Sequence, residues 1–309
     1  MFSAELRGHE FEMAWTNLLR RLWTLGSQRL CRLPAPVFLV SVIVLGARCE
    51  AAETISIKST RSFGLDATYL KAELFKPEGK GPFPAVVLMH GCGGWQPAVL
   101  GALHEHAWYF LDRGYVVLNL DSFGPRGNSG GTVCESDAKL VNALDYRTND
   151  AFDALHYLQT LQFVDPKSTF LMGQSNGGSV AINAAKMAGP RGFRAVAAYY
   201  PWCGSLGASS VKLTSPLIIF SGSRDDWVPA RQCRNRMSMG EQLKVVAYPN
   251  APHSFDLQIK LQRYLGKLIG FDKSATEDSR AQMLAFFNGQ LEKNVQRLSK
   301  LDAAGEMSQ

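Results

Sequence analysis

The 309-residue chain has no internal repeat, no low-complexity tract and no linker rich in proline, glycine or serine after residue 52. Those absences exclude solenoid and string-of-modules architectures and leave one domain of ordinary size. An excess of one charge is also slight. The net charge is +6, the first 51 residues hold six Lys/Arg against four acids, and the remaining +4 is spread along the chain. That distribution offers no footprint for nucleic acid. The N-terminal apolar run, APVFLVSVIVLGA at residues 35–47, has about 13 residues, short of the roughly 20 that cross a bilayer. No stable membrane insertion of the mature domain is expected, and oligomeric state is left open.

What the first residues do contain is the pattern of a targeting segment, residues 1–51. Basic side chains through Arg32 precede the apolar run, and small residues follow at Ala47, Ala51 and Ala52. An exported protein, periplasmic or secreted, is expected, cleaved after Ala47 or Ala51; an uncleaved N-terminal anchor is the alternative. Met13 is a second candidate start, closer to the run, and Arg48 before Cys49 argues against a lipoprotein. Loss of the leader through Ala51 removes Cys31 and Cys49. The four cysteines left, Cys92, Cys134, Cys203 and Cys233, suit two disulfides in an oxidising compartment.

From residue 53 to 295 strand and helix patterns alternate, and residues 296–309 are read as a flexible tail. An opening strand pair, 55–59 and 67–75, ends in the turn-forming KPEGKGPFP. Short apolar runs at 85–89, 115–120, 169–172, 195–200, 217–221 and 244–248 read as buried parallel strands. Residues 140–161 carry Leu144, Phe152, Leu155 and Leu158 at helical spacing, and 277–291 is the closing helix, capped by Ser274 or Thr276. The expected class is α/β: a mostly parallel central sheet with helices on both faces and an antiparallel N-terminal strand pair. Ligands of such sheets bind beyond the C-terminal strand ends.

Directly after residues 169–172 comes Gly173-Gln174-Ser175-Asn176-Gly177-Gly178, followed by a helical stretch. G-x-S-x-G between a strand and a helix is the nucleophile turn of the α/β-hydrolase fold, so Ser175 is the candidate nucleophile. A serine hydroxyl needs a base, and the base needs an orienting carboxylate. Past the next strands lie Asp225 and Asp226 in SGSRDDWVPA and His253 in YPNAPHSFD, in the chain order Ser, acid, His; the residues alone leave the two aspartates open. The loop HGCGG after residues 85–89 stands where this fold supplies an oxyanion donor, placing the Cys92 N–H there, with Gly91 as the alternative, beside the N–H of Asn176. His90, His104, His106 and His156 suit the base poorly, and His104 and His106, two apart, lack the spacing of a helical metal pair. No metal and no organic cofactor is required.

Trp95, Phe123, Trp202 and Trp227 fall in loops on the active face as candidate substrate walls, and Arg126 is a candidate for a substrate carboxylate. Strands consecutive in the chain are often neighbours, so Cys92 with Cys134 and Cys203 with Cys233 are the pairings of least reach.

The stretches VVLMHGCGG, LDSFGPRGNSGGTVC, RTNDAFDALHYLQTLQFVDP, FLMGQSNGGS, YYPWC, SGSRDDWVPARQC and YPNAPHSFD together resemble the dienelactone hydrolase family. The resemblance runs from about residue 69 to the closing helix. It implies Ser175 as nucleophile, His253 as base and, of the two aspartates, Asp225 as the acid. The name-giving members carry a cysteine nucleophile, and serine here points away from dienelactone toward a broader carboxylic-ester, or lactone, substrate of small size. A peptidase or amidase on the same triad, or a non-catalytic binding protein of the same fold, are the alternative readings.

Overall fold

In the computed structural model, residues 52–61, 67–128, 131–187, 192–206, 212–235 and 242–306 are described, with side chains to residue 292. The targeting segment expected at residues 1–51 lies outside them. Strand β1 (Glu53–Lys58) pairs antiparallel with β2 (Tyr69–Phe75). Leu70, Ala72 and Leu74 of β2 are buried, the alternation of a strand with one face inward.

Six further strands follow: β3 (Phe83–Met89), β4 (Val116–Asp121), β5 (Val164–Gln174), β6 (Val196–Tyr199), β7 (Leu217–Gly222) and β8 (Leu243–Tyr248). The sheet order is β1-β2-β4-β3-β5-β6-β7-β8, with β2 and β4 antiparallel and the later pairs parallel. Helices cover both faces, which is why the central strands are continuous apolar runs. On one face Val87 and Met89 pack with Leu155 of α2 (Asp137–Thr160) and Ile182 of α3 (Asn176–Met187). On the other, Val86 and Leu88 pack with Leu103 and Phe110 of α1 (Pro97–Leu111) and with Met283 and Phe287 of the last helix.

The chain leaves β3 toward β4 and returns past β3 to β5. The loops after β3 and β5 therefore diverge at a topological switch point, where α/β sheets open a crevice.

Two features depart from the sequence expectation. After the turn-length α4 (Arg231–Arg234) and β8, strands β9 (Gln262–Tyr264) and β10 (Lys267–Ile269) form an antiparallel hairpin that no residue pattern announced. Its central turn residues, Leu265 and Gly266, both have positive φ, 49° and 77°, as in a two-residue I′ turn. Leucine stands where asparagine or aspartate would advertise such a turn. The closing helix, α5, spans Lys273–Glu306 and so continues through residues read as a tail. Asp272, rather than Ser274 or Thr276, caps it, accepting the Ala275 N–H at 3.0 Å, while Thr276 donates to the Phe255 carbonyl. Among the described residues no helix is long and apolar enough to cross a membrane.

Candidate active site

β5 ends at Gln174 and α3 begins at Asn176, so Ser175 is the single residue between strand and helix. Its φ is 51°, a left-handed conformation costing a non-glycine residue roughly 1–3 kcal/mol and held only where the surroundings enforce it. Here the Ser175 N–H donates to the Tyr199 carbonyl at 2.9 Å, and the Ser175 carbonyl accepts the Ser179 N–H at 2.9 Å. A Cβ on Gly173 would strike the backbone of Gly177, and one on Gly177 the backbone of Met89 and His90. Glycine at both positions is what lets α3 start so close to the sheet.

His253 lies past β8, 2 % exposed, its ring between those of Tyr200 and Trp227 at centroid distances of 4.7 and 5.1 Å. Its Nε2 is 2.9 Å from Ser175 Oγ and its Nδ1 is 2.7 Å from Asp225 Oδ2. An ionised carboxylate only accepts, so Nδ1 carries the proton and the Nε2 lone pair faces the serine hydroxyl. Asp225 is itself held: its Oδ1 accepts the N–H groups of Trp227 and Val228 at 2.9 and 2.8 Å.

Asp226 turns outward and serves another element. It accepts the Leu268 N–H at 2.7 Å and Arg263 Nη1 at 2.9 Å; the Leu268 bond, then Arg263, hold its carboxyl below the usual range. Asp226 thus clamps the β9–β10 hairpin. The hairpin in turn braces His253, whose N–H donates to the Leu268 carbonyl and whose carbonyl accepts the Gly270 N–H, both at 3.2 Å.

The loop after β3 lies over the serine: a Cβ on Gly91 would stand 3.4 Å from Ser175 Cβ. Asn176 opens α3, so its N–H is among those without an intrahelical acceptor. Cys92 is bonded to Cys134 and Cys203 to Cys233, with Cα separations of 5.1 and 5.2 Å.

Sequence reasoning missed Arg147. It is fully buried in α2, and its guanidinium donates to the His90 carbonyl and to Asn176 Oδ1, both at 2.6 Å. It therefore ties the loop after β3 to the residue after Ser175. Burial lowers its pKa to about 10, which leaves it charged at neutral pH. The signal was present: Arg147 stands at helical spacing on the same stripe as Leu144, Ala151, Leu155 and Leu158, all buried.

His90, also fully buried, has Nδ1 2.7 Å from the Gly91 carbonyl, while its Nε2 accepts the Ser122 N–H at 3.2 Å. Both nitrogens are used by the neutral form. Burial first, then Arg147, push its pKa well below the ordinary histidine value, although Asp121 lies 3.7 Å from Nε2. Native His90 stays neutral where the unfolded chain takes up a proton. Its contribution is complete above about pH 6.5 and shrinks as pH falls below it, at up to about 1.4 kcal/mol per pH unit. Urea unfolding at pH 7.5 and 5.5 should show about 1 kcal/mol lost from this source, and the loss should be missing from His90→Gln. An unchanged pH dependence in that variant would remove His90 from the account.

Beneath the serine turn, the buried Asp256 carboxylate accepts His106 Nε2 at 2.8 Å, Gln174 Nε2 at 2.7 Å and the Tyr200 hydroxyl. Burial would raise its pKa, but these bonds, His106 foremost, keep it below the carboxylate norm. His104 pairs with Glu73 at 2.7 Å. Among the described residues no group of three His, Cys, Asp or Glu is placed to hold a metal ion.

Two cavities, of about 200 and about 320 Å³, open from Ser175 and share Cys92, Trp227 and His253. Trp227 lines both and Trp202 the larger. The other expected wall residues lie elsewhere. Trp95 packs against the core beside α1, under the Lys71 ammonium. Phe123 is buried between His90, Tyr146 and the Arg147 guanidinium. Arg126 is sealed in a two-pronged ion pair with Asp150, both contacts 2.8 Å, because a charge this deeply buried needs a partner of its own.

The sequence model described as "Dienelactone hydrolase family" matches residues 70–291. No curated protein matches the chain. A protein of Klebsiella pneumoniae subsp. pneumoniae described as a dienelactone hydrolase is similar in structure, with TM-score 0.62 and 16% identity over 77% of this chain and 98% of that one. A dienelactone hydrolase-like promiscuous phosphotriesterase from metagenomic libraries has TM-score 0.58 and 20% identity, covering 78% and 99%. Thermogutta terrifontis esterase 2 phosphorylated by paraoxon has TM-score 0.54 and 20% identity, covering 77% and 93%.

Proposed function

Because the chain belongs to the dienelactone hydrolase family, we propose that it is a serine hydrolase that cleaves carboxylic esters through an acyl-enzyme. The observation that carries this reading is the unbroken hydrogen-bonded line from Ser175 Oγ through His253 to Asp225. Ser175 Oγ attacks the ester carbonyl carbon as His253 Nε2 takes its proton, and Asp225 holds the imidazolium that forms. The oxyanion is met by the N–H groups of Cys92 and Asn176. Collapse expels the alkoxide, which receives the proton from Nε2 and leaves as the alcohol. Water, deprotonated by His253, attacks the acyl-enzyme, and Ser175 regains its proton as the acid departs. The two disulfides suit an oxidising compartment, which supports the reading of residues 1–51 as an export signal.

A fluorophosphonate probe tests the nucleophile. One phosphonyl group per chain, mapped to Ser175 by mass spectrometry, is expected alongside hydrolysis of 4-nitrophenyl butyrate. Folded protein that neither labels nor hydrolyses would sink the reading.

Arg147 enters as a positioning residue, since it bonds both the loop after β3 and the first residue of α3, which would carry the oxyanion donors. Arg147→Met is expected to lower kcat roughly 100-fold, comparable to loss of one donor, with little change in KM. Its affinity for a boronate transition-state mimic should fall in parallel. Arg147→Lys, which restores one charged donor, should recover part of both. A loss that tracks unfolding, with the boronate still tightly bound, would reduce Arg147 to a packing role.

A further inference from the structure

The two cavities at Ser175 are walled from opposite faces of the sheet, the smaller by Val99 and Leu257 and the larger by Leu144, and differ in what surrounds them. The smaller runs between α1 and the hairpin, walled by Val99, Leu257, Ile259, Tyr264 and Ile269. The larger runs along the start of α2, walled by Leu140, Val141, Leu144, Trp202 and Val228. An ester has an acyl arm and an alkoxy arm on opposite sides of the carbonyl carbon that Ser175 would attack. Each arm has a chamber. A water occupies about 30 Å³ in the liquid, so each chamber has room for a short chain or one ring.

Charge is the other feature. Among the described residues lining the chambers there is no lysine or arginine, and the one carboxylate is Asp137, in the larger. Arg126, the cation expected to meet a substrate carboxylate, already directs both terminal guanidinium nitrogens to buried Asp150. Arg147 is likewise occupied by His90 and Asn176. A carboxylate brought into either chamber would lose hydration and meet no opposite charge among the described lining residues.

We propose that the two chambers are the acyl and alkoxy subsites for open-chain esters uncharged on both sides of the carbonyl, and that they reject substrates carrying a free carboxylate. The proposal rests on the serine-hydrolase reading.

The test compares ethyl pentanoate with ethyl hydrogen succinate, close in length and differing by one carboxylate, by pH-stat at pH 7.5. The neutral ester is expected to have kcat/KM about 100-fold higher or more. Gln262→Lys and Gln232→Lys each place a cation at an exposed position lining one chamber. The one whose chamber receives the charged arm should narrow the gap at least tenfold. Equal rates on the two esters in wild type, or a gap that neither variant narrows, would overturn the proposal while leaving the hydrolase reading intact. Hydrolysis of neither ester, together with no phosphonate labelling, would overturn both.

Discussion

Ser175→Ala is expected to bring ester turnover down about a millionfold, to the residue of catalysis that oxyanion donors and binding supply without a nucleophile. The variant removes one hydroxyl and the hydrogen bond to His253 Nε2, and no other hydrogen bond among the described residues uses that oxygen. The backbone at φ 51° is already paid for by surrounding contacts, and alanine meets much the same left-handed penalty as serine. Thermal midpoint should therefore move little, and the His253 to Asp225 bond should remain. Phosphonate labelling must vanish with activity. If purified Ser175→Ala kept most of its turnover, the nucleophile would have to be sought elsewhere.

The two adjacent aspartates give the second large effect and its control. Asp225→Asn should lower kcat about ten-thousandfold. An amide at this position can present its NH2 to the imidazole and favour the tautomer with the proton on Nε2, which turns the histidine from acceptor into donor toward Ser175. Asp226→Asn should change kcat by only a few fold, because its partners are Leu268 and Arg263 rather than His253. What it should alter is KM for esters with a large group in the smaller chamber, since Gln262, Tyr264 and Ile269 of the hairpin line that chamber. Steady-state kinetics on a short and a long ester separate the two outcomes. The reverse order of kcat losses would move the acid to Asp226.

Much of this molecule is legible without coordinates, for a physical reason that operates locally. Strands buried on both faces must be apolar throughout, so the runs at β3, β4, β6 and β7 stand out. The turn at Ser175 needs glycines where strand and helix nearly touch, as Gly173 and Gly177 do. Asp225 and His253 then fall at later strand ends in chain order. Cysteines beyond neighbouring strands have short distances to span, and the bonds Cys92–Cys134 and Cys203–Cys233 join such loops.

Tertiary structure alone decided the rest. Asp225 and Asp226 are consecutive residues of one type, and only the bend of their loop sends one carboxylate to His253 and the other to the hairpin. The hairpin itself was hidden because a leucine adopts a conformation usually left to glycine or asparagine, held there by cross-strand pairing. Arg126 and Arg147 look alike in sequence as loop and helix cations. Sheet order brings Asp150 to the first and the His90 loop and Asn176 to the second, and a buried guanidinium takes whichever acceptors the packing delivers. Those partners are dozens of residues away in the chain, a distance over which sequence periodicity carries no information.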